Sequence, residues 1–269
     1  MPLWTPPDLP TKHELTAIAG VTLTGGALDV KGVWAALITA SARDCYGIWL
    51  KANGLHITAT ATPGLVDIGY GPTAGDVIVV PDWNVGYCTT LSSAGALMTK
   101  MQYFPCFIPA GSKVWARFAG LSADTVIIDA CLSEDFPVGG VNDAWVAYGK
   151  AGSGSKGANV TPGAGSWGTA VQLTASTTED HRRWAVGLGG AADATLLNHG
   201  NFMVRLAVDS SGTDWFGQWQ FCTNSTTEAI GGPFPPYPIY RQVPAGSGIW
   251  AQMNADVTTD LFDVIAYAL

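Results

Sequence analysis

Histidines, paired carboxylates and clustered aromatic residues are the side chains of this 269-residue sequence that could take part in chemistry. No histidine lies in an HExxH or HxH pattern, the spacings with which a short segment can hold a metal ion. The sequence therefore predicts no metal site and no cofactor. The four histidines are His13, His56, His181 and His199.

Two pairs of adjacent acidic residues, Glu134-Asp135 and Glu179-Asp180, have the carboxylates that glycosidases use in pairs. Adjacent residues of a β-strand point to opposite faces, so neither pair can act on one substrate as it stands. The sequence also lacks a GxSxG motif and a Walker-type phosphate loop. We therefore identify no catalytic residue and expect the protein not to be an enzyme.

Aromatic side chains are concentrated in two stretches of the second half, residues 214–222 and 231–240. Because aromatic rings can stack on the apolar faces of sugar rings, Trp215, Trp219 and Tyr237 are candidate glycan contacts. Strict alternation along a strand would place Trp215 and Trp219 on one face, which fits core or subunit packing equally well. Glycan binding and packing are thus two open interpretations of these residues.

Short apolar and β-branched runs, bounded by Gly, Pro, Asn or Asp, are the elements that would position these side chains. The run LHITATA, residues 55–61, alternates strictly and predicts a strand with one buried face. No segment shows a sustained helical spacing of apolar residues with caps. These patterns predict an all-β protein of antiparallel, jelly-roll-like sandwiches.

A repeated phrase divides the chain. IPAGSKVWAR at 108–117 returns as VPAGSGIWAQ at 243–252, which is 135 residues later. The same offset aligns the Thr-Ala-Ser triplet at 39–41 with the triplet at 174–176. Separate anchors at one offset indicate two copies of a single sandwich unit.

The repeat and the composition together predict four segments. The third segment is rich in Gly and Ser, the composition of a flexible connector. In the first segment, Leu3, Trp4 and Leu9 are candidate assembly contacts with neighbouring subunits. The segments are an N-terminal arm at 1–30, a first β-sandwich at 31–133, a linker at 134–165 and a second β-sandwich at 166–269.

Charge and cysteine content restrict the function classes. With 21 acidic and 13 basic residues the net charge is −8, which repels nucleic acid and anionic membrane surfaces. No export signal and no membrane-spanning apolar run is evident. The cysteines form no CxxC pair, so we expect small core residues in a reducing cytosol. They are Cys45, Cys88, Cys106, Cys131 and Cys222.

Residues 108–132, together with the triplet at 39–41 and PDWNVGY at 81–87, resemble the β-sandwich units of structural proteins from tailed bacteriophages. The resemblance implies a virion component, such as a capsid decoration, collar or tail-fibre protein, made in the bacterial host cytoplasm. It implies a homo-oligomer, a trimer or higher, that contacts other virion proteins. The alternative function is a carbohydrate-binding or receptor-binding module that contacts a host surface glycan through the second sandwich.

Overall fold

The computed structural model is built from β-strands. It describes residues 14–16, 20–27, 29–56, 64–86, 100–120, 125–134, 144–150, 156–190, 200–224, 229–255 and 261–269. These ranges contain no helix, and therefore no helix long and apolar enough to cross a membrane. The predicted all-β class is confirmed.

Twenty strands follow one another along the chain. Those of the first half are β1 (Glu14–Leu15), β2 (Val21–Thr24), β3 (Ala35–Ile38), β4 (Cys45–His56), β5 (Gly64–Tyr70), β6 (Val77–Gly86), β7 (Lys100–Ile108), β8 (Val114–Ala119) and β9 (Thr125–Ser133). Those of the second half are β10 (Val146–Tyr148), β11 (Ala158–Val160), β12 (Gly163–Ala164), β13 (Val171–Thr174), β14 (His181–Gly190), β15 (Gly200–Ala207), β16 (Trp215–Asn224), β17 (Ala229–Ile230), β18 (Ile239–Val243), β19 (Ile249–Ala255) and β20 (Phe262–Ala268).

The strands form four sheets, two in each half. Sheet A has the order β1-β9-β4-β7, with β2 also on β9, and sheet B has the order β3-β8-β5-β6. Sheet C has the order β10-β20-β14-β18, with β11 on β20, and sheet D has the order β12-β19-β15-β16-β17, with β13 on β19. Neighbouring strands are antiparallel except for the short parallel pair β12 and β19. The sandwich prediction is confirmed.

Each half has its own apolar core between its two sheets. In the first half, Ile48 of sheet A and Val66 of sheet B are fully buried in one cluster. In the second half, Val186 of sheet C and Val204 of sheet D are fully buried in another cluster. Removing these side chains from water is the main force that holds each pair of sheets together.

The repeated phrase forms a turn in both halves. In the first half, the Ser41 hydroxyl donates to the Pro109 carbonyl at 2.7 Å, and the Ala110 N–H donates to the Asp44 carboxylate at 2.8 Å. Gly111 has a φ of 79°, a conformation that glycine adopts without a side-chain penalty. These hydrogen bonds fix the turn to the chain that precedes β4.

The second copy makes the same hydrogen bonds. The Thr177 hydroxyl donates to the Pro244 carbonyl at 2.8 Å, and the Ala245 N–H donates to the Asp180 carboxylate at 2.8 Å. Gly246 has a φ of 83°. Thr177 therefore takes the place of Ser41, one position later than the alignment of the two triplets predicts.

Strands also occur in the segments predicted as arm and linker. β2 lies within residues 1–30 and pairs with β9 in sheet A. β10, β11 and β12 lie within residues 134–165 and pair with β20 or β19. The described part of that segment therefore contributes strands to the second sandwich. Leu3, Trp4 and Leu9 lie outside the described residues.

The two sandwiches share an interface. Ile265 and Tyr267, both from β20, join the core of the first half. The Tyr267 hydroxyl donates to the Asp82 carbonyl at 2.9 Å and accepts the Asn84 N–H at 2.6 Å. Polar hydrogen bonds thus accompany the apolar contact between the halves, and burial raises the pKa of Tyr267.

The described cysteines differ in their surroundings. Cys45 and Cys106 are buried core residues, as the sequence predicts, and none of the described cysteines forms a disulfide. Cys131 is partly buried, whereas Cys222 is exposed, because the alternation of β16 directs it to solvent. The prediction of a core position is therefore wrong for Cys222. Cys88 lies outside the described residues.

Candidate functional site

A β-bulge in β16 decides which of its aromatic side chains reach solvent. Two consecutive residues of β15, Arg205 and Leu206, pair with Gln218 and Phe216 of β16. Gly217, which lies between these two, has no partner in β15 and is the extra residue. Gly217 has a φ of 65°, the geometry of a bulge with glycine in the left-handed region. The extra residue reverses the alternation, so Trp215 is 46% exposed and Trp219 is 1% exposed. The structure does not bring these two indoles to one face.

The three predicted glycan contacts are therefore separated. Trp219 lies in the second core, and Trp215 lies on the solvent side of sheet D. Tyr237 is exposed on the proline-rich segment that follows β17. The backbone of that segment bonds to β16 where Phe234 exchanges two hydrogen bonds with Gln220.

We name the solvent side of sheet D the outer face of sheet D, and three of its rows of side chains span β16, β15 and β19. Residues directly opposite each other in antiparallel strands share a face, so the rows follow from the registers of β16, β15 and β19. The face presents amide and aromatic groups around one arginine. The rows are Trp215, Ala207 and Trp250; Gln218, Arg205 and Gln252; and Gln220, Met203 and Asn254.

Arg205 is held at the centre of this face. Its guanidinium carbon lies 4.2 Å from the ring centroid of Trp167 and 5.6 Å from that of Trp215. Its Nε donates to Gln252 Oε1 at 2.9 Å, and Gln252 Nε2 donates to the Gly168 carbonyl at 3.0 Å. Cation–π contacts and these hydrogen bonds thus fix the loop before β13 against the sheet.

Arg205 has no ion-pair partner among the described residues. Burial lowers its pKa, and the Asp209 carboxylate acts in the opposite direction. Asp209 itself accepts hydrogen bonds from the Ser211 hydroxyl and from the backbone N–H groups of Ser211, Thr213 and Asp214. These bonds, the Ser211 side chain first, lower the pKa of Asp209 to about 2. Asp209 is therefore ionised but engaged with its own loop.

An open cavity of about 310 Å³ lies beside Gly168, the residue that follows Trp167. Its lining includes the polar residues Asn159, Thr161 and Thr169. Concave surfaces with a few polar groups are the usual shape of ligand sites. The cavity lies between β11 and the loop that carries Trp167 and Gly168.

The matching face of the first sandwich is chemically different. Arg117 lies 135 residues before Gln252, and its cross-strand partner is Asp67. Arg117 Nε donates to Asp67 Oδ2 at 2.9 Å, and Lys31 Nζ donates to Asp67 Oδ1 at 2.8 Å. Trp34 stacks on Arg117 at 4.6 Å. An indole on an arginine thus occurs in both halves, but in the first half carboxylates neutralise the cations.

Three of the other candidate chemical groups, Glu134, Asp180 and His181, have structural partners. Glu134 forms an ion pair with Arg43 at 3.1 Å, and Asp180 binds the repeated turn. His181 Nε2 shares a 2.8 Å hydrogen bond with the Tyr148 hydroxyl. Within the described ranges, no three His, Cys, Asp or Glu side chains come together where they could hold a metal ion. Outside these ranges lie His13, Asp135 and His199.

No known protein family and no curated protein matches this sequence. Solved structures with a similar chain path include peptide-N(4)-(N-acetyl-β-D-glucosaminyl) asparagine amidase, at TM-score 0.39 and 9% identity over 96% of this chain and 95% of that one. A structure of PNGF-II is similar at TM-score 0.36 and 7% identity over 95% of this chain. This chain spans only 65% of the length of PNGF-II.

Two further similar structures are not amidases. Broad Bean Stain Virus has TM-score 0.30 and 8% identity over 97% of this chain and 88% of that one. The CBM22-1–CBM22-2 tandem of Paenibacillus barcinonensis Xyn10C has TM-score 0.24 and 11% identity over 96% and 91%. The sheet topology of the chain itself defines its class as an all-β tandem sandwich. The similar structures include a virus and a CBM22 tandem domain. TM-scores below 0.5 assign no function to this chain.

The amidase comparison overturns the prediction that the protein is not an enzyme. That prediction relied on the lack of a local catalytic motif. A tandem β-sandwich without such a motif can still bring distant residues together by folding, so the lack of a motif excludes no activity. We withdraw the prediction and assign no reaction to the protein in its place.

Proposed function

We propose that the protein binds carbohydrate through the outer face of sheet D. The observation that carries this proposal is the stack of Trp167 on Arg205 beside the exposed Trp215. Indole faces pack on the C–H groups of a sugar ring. Amide side chains both donate and accept hydrogen bonds, which matches sugar hydroxyls. Gln218 and Gln220 are exposed on this face.

The rigidity of the face supports the proposal. Arg205 and Gln252 lie in the middle of paired strands, and Gln252 is almost completely buried. Its two hydrogen bonds, to Arg205 and to the Gly168 carbonyl, hold the Trp167 loop in place before any ligand arrives. A preorganised site loses less conformational entropy on binding, which raises affinity.

Replacing Trp215 with alanine is expected to weaken glycan binding by about tenfold or more, since a central aromatic contact contributes roughly 2 kcal/mol to a binding site. Trp167→Ala is expected to act in the same direction, because it also releases Arg205. A glycan array identifies the ligand, and titration calorimetry then measures the affinity. Trp215 is half exposed, so its truncation leaves the fold intact in thermal unfolding.

Trp34→Ala supplies the matched control. Trp34 stacks on Arg117 of the first sandwich as Trp167 stacks on Arg205 of the second. We expect Trp34→Ala to change stability but not glycan affinity. If no glycan binds, or if Trp34→Ala and Trp215→Ala weaken binding equally, the outer face of sheet D is not the site.

Exposed aromatics favour a second candidate function, assembly of this chain into a symmetric oligomer within a virion. Phe234, on the proline-rich segment, is 72% exposed, and Tyr240, in β18 directly after that segment, is 71% exposed. The Pro236 carbonyl of this segment accepts the Tyr103 N–H at 2.8 Å, which anchors it to the first sandwich. Exposed apolar surface on a fixed segment is typical of contact sites between proteins. The resemblance to tailed-phage structural proteins supports the same candidate.

Native mass measurement tests assembly. We expect a trimer or larger oligomer, which the double variant Phe234→Ser, Tyr240→Ser shifts toward the monomer because it removes apolar contact area. Val33→Ser is the control, since Val33 is 86% exposed on the first sandwich. A wild-type monomer at micromolar concentration excludes this assembly function and leaves the glycan proposal untouched.

A further inference from the structure

The charges on the outer face of sheet D point to a more specific ligand. We infer that the glycan carries a carboxylate, as a uronic or sialic acid does, and that the Arg205 guanidinium binds it. The inference rests on the proposed carbohydrate function and specifies its ligand class. It is carried by three features of the face: its charge, the geometry of Arg205, and the contrast with the first sandwich.

Arg205 is the one charged side chain in the three rows of the face, which otherwise contain amide, aromatic and apolar residues. The chain as a whole has a net charge of −8, so the lack of Asp and Glu in these rows runs against the overall composition. The acid whose charge acts on Arg205, Asp209, is held by its own loop and forms no ion pair with Arg205. A cation that forms no ion pair with a protein carboxylate favours an anionic ligand.

The geometry leaves part of the guanidinium available. Only Nε of Arg205 donates to another described residue, the bond to Gln252 at 2.9 Å. The two terminal nitrogens carry N–H groups in the planar fork that matches a carboxylate. Trp167 and Trp215 contact the guanidinium as cation–π partners, so the donors are expected to act at its edge. A sugar stacked on an indole would thus have its carboxylate within reach of the fork.

In the first sandwich, a carboxylate neutralises the cations at the position equivalent to Arg205. There Asp67 pairs across the strands with Arg117, and in the second sandwich Arg205 pairs in the same way with Gln252. Asp67 thus corresponds to Arg205, and Arg117 corresponds to Gln252. Asp67 pairs with Lys31 as well as with Arg117. The second sandwich has an arginine in place of that aspartate and an amide in place of that arginine. The arginine of the second half is therefore not needed to pair a buried acid.

The test compares acidic oligosaccharides with their own neutral forms. The probes are oligogalacturonate, oligoglucuronate and sialyllactose, each as the free acid and after reduction of its carboxyl group to an alcohol. We expect at least one acid to bind and its reduced form to bind about tenfold or more weakly, since charge-assisted bonds are roughly twice as strong as neutral ones. Raising the salt concentration is expected to weaken the acid selectively.

Variants then assign the effect to Arg205. Arg205→Gln keeps hydrogen-bonding capacity without charge and is expected to remove the preference for the acid over its reduced form. Arg205→Lys keeps the charge and is expected to retain part of that preference. Thermal unfolding checks that both variants fold. The readout is the affinity ratio of acid to reduced form, so a general loss of stability does not mimic the expected result.

The outcomes separate this inference from the proposed function. If neutral glycans bind, Trp215→Ala weakens them, and acids have no advantage, carbohydrate binding stands and the carboxylate inference is wrong. If acids are preferred but Arg205→Gln keeps the preference, Arg205 is not the anion site and the inference is equally wrong. If no glycan of either kind binds, the proposed function fails together with the inference.

Discussion

Replacing Gly217 with alanine is expected to lower the free energy of unfolding by about 2–4 kcal/mol. Two effects add in this variant. The φ of 65° is unfavourable for any residue with a side chain. A Cβ at this position would also lie 2.3 Å from Ile239 Cδ1 and 2.7 Å from the Trp219 ring, far inside van der Waals contact. The packed neighbours must therefore move.

The same substitution is expected to weaken glycan binding. The bulge at Gly217 sets which side of β16 Trp215 occupies, and a strand that loses its bulge shifts the alternation by one residue. Trp215 would then turn away from Arg205. Calorimetric titration of Gly217→Ala with the glycan bound by the wild type measures this effect.

Gly246→Ala is the matched control. Gly246 has a φ of 83°, but a Cβ there would meet no atom within 4 Å. We expect it to lose only the backbone component, about 1–2 kcal/mol, in urea denaturation. A Gly217→Ala variant as stable as Gly246→Ala would show that the bulge tolerates a side chain and that its geometry is not tightly fixed.

Stability is expected to rise as the pH increases from about 7 to 10, because of Lys100. Lys100 lies in β7 at the interface of the halves, and its Nζ donates to the Leu188 carbonyl of β14 at 2.6 Å. Burial lowers the pKa of Lys100 to about 7. No carboxylate among the described residues forms an ion pair with it. The interface thus contains a buried lysine, and the folded protein is more stable when this lysine is neutral.

The sign follows from proton binding. Below pH 7 the lysine is protonated in both the folded and the unfolded chain. Between pH 7 and the ordinary lysine pKa of 10.5, the unfolded chain binds one proton more than the folded chain. The free energy of unfolding therefore increases with pH in this window, by up to about 1.4 kcal/mol per pH unit.

Lys100→Met provides the measurement. Urea unfolding of wild type and variant at pH 6 and pH 9 gives the difference in stability between the two proteins. This difference is expected to shift by about 2–3 kcal/mol in favour of the wild type as the pH rises through two units above 7. A difference that is constant with pH would show that Lys100 is protonated in the folded protein throughout.

Asp263 supplies a control, because it is expected to make the free energy of unfolding decrease, not increase, with pH. Burial raises the pKa of Asp263 to about 7, while the Lys156 charge acts in the other direction. The folded chain keeps this proton between pH 4 and 7 when the unfolded chain has lost it, so stability falls with pH in that range. Asp263→Asn is expected to remove the decline below pH 7 without changing the rise above it.

The repeated turn is an element that the sequence predicts well. Pro109, Gly111 and the alternating residues after them act through local geometry, and the same local chemistry recurs at Pro244 and Gly246. The repeated phrase does not predict which distant residues form hydrogen bonds with the turn. The Ser41 and Thr177 hydroxyls that bind the two prolines lie 68 and 67 residues away along the chain, so only folding brings them together.

The faces of β16 illustrate the limit of alternation rules. Counting residues places Trp215 and Trp219 together, and the structure separates them because one residue is left out of the pairing. A glycine inside a strand is a recognised signal of such a bulge, and Gly217 is the residue that could have indicated it. The glycine does not indicate which face of the sheet either indole occupies, because the face depends on the register with the partner strand.

By itself, the sequence determined the all-β class, the antiparallel sandwiches and the duplicated turn, because turn chemistry and strand periodicity are local properties of the chain. The tertiary structure alone decided that Trp167, Arg205 and Gln252 meet. Arg205 and Gln252 are 47 residues apart and become neighbours through the register of β15 and β19. Cross-strand pairing has no counterpart in residue order, so the candidate site emerged only from the folded sheet.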